Sequence, residues 1–409
     1  MKKVLGLLLG LLTAIGGFVD IGDIVTAGVV GSRFGLSLTW VLVLGTFSIC
    51  VFAEMSGRVA AVSGRPTFDL IRERFGPRLG LLNLLGSMAV TLLTFIAEIG
   101  GVALALQLAT SVNPYLWIPV VAAALWLVFW RVKFSALENT FGLGGLALIV
   151  FAVAVWQLSP DWSQLWHQAS RAAMPQPEGI PTYWYYAIAI FGATMTPYEV
   201  FFFSSGGVEE RWKPKDIAMM RGNVFLGFPL GALLSLAITA CAAIVFLPLS
   251  IEVGELSQTV LPVGIALGKI GIAIALLGLF AATFGAACET GLSVGYSICQ
   301  YFGWQWGKFA EPKHATRFHT ILLLLCILGP GVLLTTVDPI MVTEYSVVFS
   351  AIALPLTYLP ILIVANDRTY MGDHANGRIA NVLGTAVLIP VVVASAAAIP
   401  LMIVTRVGQ

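Results

Sequence analysis

Two carboxylates lie close together inside the first long apolar segment of the chain. Asp20 and Asp23 flank a glycine in the sequence Gly16-Gly17-Phe18-Val19-Asp20-Ile21-Gly22-Asp23. The length of the segment is typical of a membrane-spanning helix, so both acids are expected near the middle of the bilayer. A charged side chain there costs about 2.5–3.5 kcal/mol on insertion scales. We therefore predict that the helix breaks here and turns its acids and freed carbonyls toward a cavity or a bound cation. A glycine kink with one neutral buried acid is the alternative.

A second apolar segment carries an acid beside a proline. It contains Ala193-Thr194-Met195-Thr196-Pro197-Tyr198-Glu199. Proline lacks an amide proton and clashes with the preceding turn, so the helix is predicted to kink or open just before Pro197. Glu199 is then a third acid at the depth of the bilayer midplane. An ordinary proline kink is the alternative interpretation.

Two further acids, Glu98 and Glu289, lie within other apolar segments. A buried acid in a helix bundle is as often a structural partner of a backbone group or an arginine as it is a functional group, and both interpretations stay open here. The four histidines lie outside the predicted midplane, so a histidine metal site is not expected. The sequence contains no P-loop, zinc signature or nucleophile elbow, and we therefore do not expect an enzyme.

Membrane helices must position these residues, because the composition is too apolar and too poor in charged residues for a soluble domain. Of the 409 residues, 58% are hydrophobic and 11% are charged, against about 45–50% and about 25% in soluble domains. The protein is predicted to be an all-α polytopic membrane protein, with its start forming the first helix rather than a cleaved signal. Hydropathy predicts eleven spans: 4–31, 36–62, 80–111, 114–131, 140–158, 183–207, 222–248, 262–300, 318–337, 342–366 and 380–404.

The basic residues divide unequally between the two sides of these spans. Successive loops lie on alternate sides of the membrane. On this basis 18 Lys and Arg lie on the same side as the N-terminus, Arg33, Arg171 and Arg406 lie on the other side, and Lys269 lies within a span. The positive-inside rule then predicts a cytoplasmic N-terminus and an external C-terminus. The expected location is a bacterial inner membrane or a plasma membrane.

Broken, acid-bearing helices at positions one and six indicate an inverted repeat. We predict a single transporter domain, 1–409, with a first five-helix repeat at 1–158, a second at 183–366 and an appended eleventh helix at 380–404. In such an arrangement the transport site lies between the two repeats. The third helix of each repeat carries one of the acids Glu98 and Glu289.

The two broken segments resemble the NRAMP family of divalent-metal transporters. Asp20-Ile21-Gly22-Asp23 is similar to the family's Asp-Pro-Gly-Asn, and Thr196-Pro197-Tyr198 is similar to its Met-Pro-His. The resemblance implies the LeuT-like fold, with helices 1 and 6 broken. It also implies a cation site with side-chain ligands from Asp20, Asp23 and Thr196 and with carbonyl ligands near Gly17 and Ala193.

Departures from the family pattern alter the expected cargo. Thr196 replaces a sulfur ligand that favours softer metals, while Asp23 and Glu199 each add a negative charge. Carboxylate, hydroxyl and carbonyl oxygens suit Mg²⁺ or Mn²⁺. We expect Asp20 and Asp23 to bind the ion directly or through one water, with Glu199 in an outer position.

Proton coupling is also expected to be weak or absent. Tyr198 replaces the family's histidine and titrates only near pH 10, and Phe95 stands where the family has an aspartate. Glu98, Glu289 and Tyr198 remain as possible pathway or coupling residues. A branch related to the family that carries magnesium is similar to this chain, because it also lacks the methionine and the proton route.

The function predicted from the sequence is therefore uptake of Mg²⁺ or Mn²⁺ by alternating access. A symporter of a cationic or amine organic solute on the same fold is the main alternative, and a receptor that binds without transport is another. We expect no cofactor beyond the transported cation. The expected partner is the lipid bilayer, with no nucleic acid and no obligate protein partner.

Overall fold

The protein is described here by a computed structural model covering residues 18–132, 134–171, 179–308, 310–335 and 337–408. This part of the chain contains α-helices and short 3₁₀ turns and no strand, which confirms the all-α prediction. In chain order the α-helices are α1 (Ile21–Phe34), α2 (Thr39–Ser63), α3 (Thr67–Thr110), α4 (Pro114–Arg131), α5 (Phe134–Gly145), α6 (Ile149–Gln157), α7 (Trp162–Arg171), α8 (Ile180–Thr194), α9 (Pro197–Glu209), α10 (Ile217–Val245), α11 (Leu256–Phe302), α12 (Thr316–Leu333), α13 (Pro339–Asn366), α14 (Arg368–Met371) and α15 (Arg378–Val404).

Ten stretches of the described residues are long and apolar enough to cross a membrane. They correspond one to one with the second to eleventh predicted spans. The first predicted span, 4–31, begins outside the described residues, and α1 forms its second part. Large apolar side chains on α15 are well exposed, including Ile379, Val382 and Ile403. Such a surface is what a helix facing lipid requires.

Two helices are much longer than a membrane crossing needs. α3 has 44 residues and α11 has 47, whereas about 20 residues cross the hydrocarbon core, and in each a glycine with non-helical dihedral angles divides the run into two helices. Each is bent at a glycine with positive φ, Gly76 at +80° and Gly268 at +64°. Only glycine adopts this conformation easily. Hydropathy alone predicted the apolar part of each helix but not the bend.

The packing of α1 brings the two interrupted segments together. α1 packs mainly on α10 and also contacts α8, α11 and α13, while α9 packs on α2 and α11. α8 approaches the backbone of α13 closely, since a Cβ at Gly192 would lie 2.2 Å from the carbonyl oxygen of Val347. Tyr198, at the start of α9, lies 3.3 Å from Asp20, so the break between α8 and α9 lies beside the start of α1.

Contacts between loops agree with the predicted division into two sides. Arg74 pairs with Asp367 at 2.8 Å on the side rich in basic residues. On the opposite side, Arg33 donates to the carbonyl of Gly408 at 2.6 Å and lies 4.0 Å from Glu252. Residues that alternation assigned to one side are thus neighbours in the structure.

Candidate functional site

The first break lies where α1 begins. The chain is non-helical at Val19 and Asp20 and becomes helical at Ile21, so the predicted interruption is present. Asp20 is the N-cap of α1, and its Oδ1 accepts a hydrogen bond from the backbone amide of Asp23 at 2.9 Å. An N-cap side chain satisfies an amide that has no partner within the helix. One oxygen of Asp20 is therefore occupied by the helix end, and the other faces the interior.

The second break separates α8 from α9. α8 ends at Thr194, Met195 and Thr196 are non-helical, and α9 begins at Pro197. In a continuous helix the carbonyl of Ala193 would accept from the amide of residue 197, but proline has no amide proton. The hydroxyl of Tyr358 donates to the carbonyl of Met195 at 3.1 Å. The sequence thus frees a carbonyl at Ala193, as the predicted ligand set requires.

Thr196 and Glu199 have the spacing of a capping box but do not form one. A threonine followed three residues later by glutamate at a helix start commonly exchanges two side-chain hydrogen bonds with the backbone. Here Thr196 is the N-cap residue of α9 and its side chain caps nothing. Thr196 Oγ1 and Glu199 Oε2 are both buried without a hydrogen-bond partner. Buried polar atoms are rarely left in this state, so both oxygens are available to an ion or to water.

Two hydrogen bonds connect the breaks to each other and to α3. The hydroxyl of Tyr198 donates to Asp20 Oδ2 at 3.3 Å. Glu98, on α3, accepts from the backbone amide of Ile21 at 3.0 Å. Ser293, on α11, donates to the carbonyl of Tyr198 at 3.3 Å. Glu98 therefore has the structural role that the sequence left open, and it also lies beside the first break.

The buried acids act on one another electrostatically. The charges of Asp20, Asp23 and Glu289 act on Glu199, and the same three act on Glu98. Carboxylates that share a buried site repel each other and are costly to ionise together unless an opposite charge joins them. A cation placed among these side chains would relieve the repulsion.

The predicted site residues that the structure describes are all buried near the breaks. Asp20, Asp23, Ala193, Thr196 and Glu199 are each at most 6% exposed, whereas Gly17 lies outside the described residues. Within the described residues, no three His, Cys, Asp or Glu side chains converge closely enough to hold one metal ion. A cation here would instead combine carboxylates with hydroxyl, carbonyl and water oxygens, which are hard donors.

A buried ionic cluster elsewhere in the fold was not predicted. Glu54 accepts from Arg58 at 2.9 Å and from Arg221 at 3.0 Å. Arg58 also donates to the carbonyl of His374 and to Asn376 Oδ1, the latter at 2.6 Å. The spacing of Glu54 and Arg58 is the one signal in the sequence, because residues four apart meet on a helix. The other partners come from distant segments.

A sequence profile decides which family these features belong to. The profile of the Nramp family, described as natural resistance-associated macrophage protein-like, matches residues 10–400. The chain belongs to the Nramp family. The resemblance drawn from the two broken segments is therefore confirmed.

Named relatives of this Nramp chain are similar along nearly their whole length. It is 26% identical over 391 residues to the divalent metal cation transporter MntH of Deinococcus radiodurans, covering 92% of this chain and 85% of that protein. It is 25% identical over 383 residues to MntH of Aeromonas hydrophila, with coverages of 91% and 90%.

Solved structures match the Nramp chain in fold. The manganese transporter of Eremococcus coleocola superimposes with a TM-score of 0.70 at 19% identity, covering 95% of this chain and 84% of that one. Mhp1, a nucleobase-cation-symport-1 transporter, gives a TM-score of 0.61 at 18% identity, with coverages of 96% and 91%. The predicted LeuT-like fold is confirmed.

Proposed function

We propose that this protein is a transporter of divalent cations, Mg²⁺ or Mn²⁺, that works by alternating access and is not an enzyme. The observation that carries the proposal is the meeting of two helix breaks at which Asp20, Asp23 and Glu199 lie buried beside unpaired oxygens. Broken helices at the midplane form the ion sites of transporters with this architecture. The names of the MntH relatives support the same assignment.

The proposed ligands come from both breaks. Asp20 and Asp23 bind the cation directly or through one water, Thr196 contributes its hydroxyl, and the carbonyls of Ala193 and Gly17 complete the set. Glu199 binds farther out or orients a water. Asp23 Oδ2 is buried without a hydrogen-bond partner, which supports a direct role for this carboxylate.

The proposed cargo is a hard cation because the set contains oxygen atoms alone. Thr196 occupies the N-cap position of α9, with its hydroxyl oxygen unpaired. Oxygen donors favour Mg²⁺ and Mn²⁺, whereas a thioether would favour softer metals. Mg²⁺ also keeps several of its waters when bound, and a site with few carboxylates suits a partly hydrated ion.

Transport is proposed to proceed with weak or no proton coupling. Tyr198 donates its hydroxyl proton to Asp20 in a hydrogen bond, and Phe95 packs against Gly329 and Gly291 in an apolar contact. Neither side chain can relay protons at neutral pH.

The membrane potential is the proposed driving force. An inside-negative potential of 100 mV supplies about 4.6 kcal/mol for the entry of a doubly charged ion. That suffices for accumulation.

The single domain 1–409 is proposed to contain inverted repeats at 1–158 and 183–366, with 380–404 as an added helix. Gly76 and Gly268 bend the third helix of each half at positive φ. Glu98 follows Gly76 by 22 residues, and Glu289 follows Gly268 by 21. These nearly equal spacings support the repeat.

The test is flux into liposomes that hold the purified protein, with a Mg²⁺ or Mn²⁺ indicator and a pH dye inside. We expect potential-driven Mg²⁺ entry without matching acidification, and no entry into protein-free liposomes. Entry of Mn²⁺ alone, with acidification, would exclude Mg²⁺ as cargo and overturn the proposed lack of strong proton coupling. Absence of any divalent flux would overturn the function itself and favour an organic cation or amine as cargo.

A further inference from the structure

A narrow crevice reaches Asp23 from the side of the protein that is poor in basic residues. It lies between α1, α2, α8 and α10, with a volume of about 20 Å³, which is room for about one water molecule. It follows α1 from Asp23 to Val30. Thr39 and Leu236 also line a larger apolar cavity, about 440 Å³, beside α7. The crevice therefore extends from the breaks toward the face that the proposed topology makes external.

The hydroxyl of Ser235 differs from those of Thr39 and Thr239 in the crevice. Thr39 donates to the carbonyl of Leu36 at 2.7 Å, and Thr239 donates to the carbonyl of Ser235 at 2.9 Å. Ser235 is 3% exposed, and its Oγ is buried with no hydrogen-bond partner. Asp23 lines the same crevice from α1, and its Oδ2 is also buried without a hydrogen-bond partner.

Two unpaired polar atoms in one crevice each call for a partner. Buried polar groups are almost always satisfied, by protein or by ordered water. A water needs at least two polar partners and room for one molecule. Ser235 and Asp23 supply such partners from α10 and α1, and the remaining walls are largely apolar side chains such as Val30, Leu42 and Ile190.

We propose that this crevice is a hydration site for the transported cation, and that Ser235 is the residue that positions its water against Asp23. The inference rests on the proposed function, since it assigns the water ligands of the same ion. Ser235 does not touch the ion. Its hydroxyl holds a water that the cation retains, and Asp23 holds the same water or the cation from the other side.

The role of such a water depends on the ion. Mg²⁺ dehydrates reluctantly and keeps several waters when bound. Mn²⁺ exchanges its waters more readily, so it depends less on a protein group that stabilises one of them. Ser235 is therefore a specificity-determining residue, and its loss affects Mg²⁺ more than Mn²⁺.

The experiment is liposome flux of Mg²⁺ and of Mn²⁺ through Ser235→Ala, compared with the wild type. We expect the KM for Mg²⁺ to rise about 3- to 10-fold, the range of one hydrogen bond, and the KM for Mn²⁺ to change less than about twofold. Ser235→Thr retains a hydroxyl and is expected to keep the wild-type ratio of the two KM values.

Two controls separate hydration from a structural effect. Ser48→Ala removes an equally buried hydroxyl that already donates to Leu44 at 2.7 Å. Thr239→Val removes a hydroxyl from the same crevice that is satisfied by its own helix. Neither is expected to move the Mg²⁺ to Mn²⁺ ratio.

The outcomes distinguish this inference from the function on which it rests. Equal changes for both ions in Ser235→Ala, or no change, overturn the role of Ser235 while divalent transport by the wild type stands. A wild type that carries no divalent cation refutes the proposed function instead.

Discussion

The carboxylate of Glu98 accepts a hydrogen bond from the backbone amide of Ile21, 77 positions earlier in the chain, at 3.0 Å. Ile21 is the first residue of α1, and amides in a first helical turn have no partner within the helix. Glu98 supplies that partner across the helix packing. Its second oxygen stays buried and unpaired. One side chain thus fixes the start of α1 and places a further carboxyl group beside Asp20.

These two roles of Glu98 can be separated by substitution. Glu98→Gln keeps an oxygen acceptor for the Ile21 amide but removes the ionisable carboxyl group, so we expect near wild-type thermal stability and weaker cation uptake. Glu98→Ala leaves the amide buried and unpaired, which costs about 1–3 kcal/mol. Thermal unfolding in detergent and liposome flux measure the two effects. Equal stability of both variants would contradict the capping role.

Asp20 is expected to be essential for transport but replaceable for folding. Asp20→Asn retains an oxygen that can cap α1, because asparagine is a good N-cap residue. It removes the charge that binds the cation, so we expect flux to fall by at least about 100-fold, that is, about 3 kcal/mol. Asp20→Ala should lose flux equally and also about 1 kcal/mol of stability with the cap. Flux retained in Asp20→Asn would remove this carboxylate from the site.

Thr196 is expected to set the preference for hard ions. Thr196→Met places a thioether at the start of α9, and sulfur favours softer metals. We expect competition assays to show Mn²⁺ and Cd²⁺ gaining over Mg²⁺. Thr196→Val, which removes the hydroxyl without adding sulfur, is the matched control and should weaken uptake without that shift. Unchanged selectivity in Thr196→Met would show that position 196 does not contact the ion.

Arg58 is expected to stabilise the fold away from the site. It joins Glu54 of α2 to the loop that carries His374 and Asn376. Removing one partner from a buried ionic cluster typically costs about 3 kcal/mol, so Arg58→Met should lower the midpoint of thermal unfolding markedly. Arg65, whose side chain is 38% exposed beside Asp69, is the control, and Arg65→Met should cost at most about 1 kcal/mol.

Local rules predicted the spans and the two breaks. Ten apolar stretches recur at the predicted places, because hydropathy over about twenty residues reports the bilayer directly. Pro197 and the pair Asp20 and Asp23 marked the interruptions, since each conflicts with a continuous helix in lipid. These signals depend on neighbouring residues alone, so a single sequence contains them.

Contacts between distant segments were not predictable in the same way. The bond from Ile21 to Glu98 and the unpaired hydroxyl of Ser235 depend on which helix faces bring those atoms together. The cluster of Glu54, Arg58 and Arg221 joins two helices and a loop, and only its pair four residues apart had a local signal. Periodicity indicates that a face is buried but not what it is buried against.

Interrupting two helices also places helix ends inside the membrane on both sides of each break. α1 and α9 begin at the breaks, while helical conformation stops at Phe18 and at Thr194, so two ends with roughly +0.5 elementary charge and two with roughly −0.5 lie around the breaks. Asp20 caps one positive end, and Glu199 lies in the first turn of the other. The main-chain dipoles therefore offset part of the acidic charge before any ion arrives. The C-terminal ends at Phe18 and Thr194 carry partial negative charge that attracts a cation, and side-chain substitutions leave this part of the field intact.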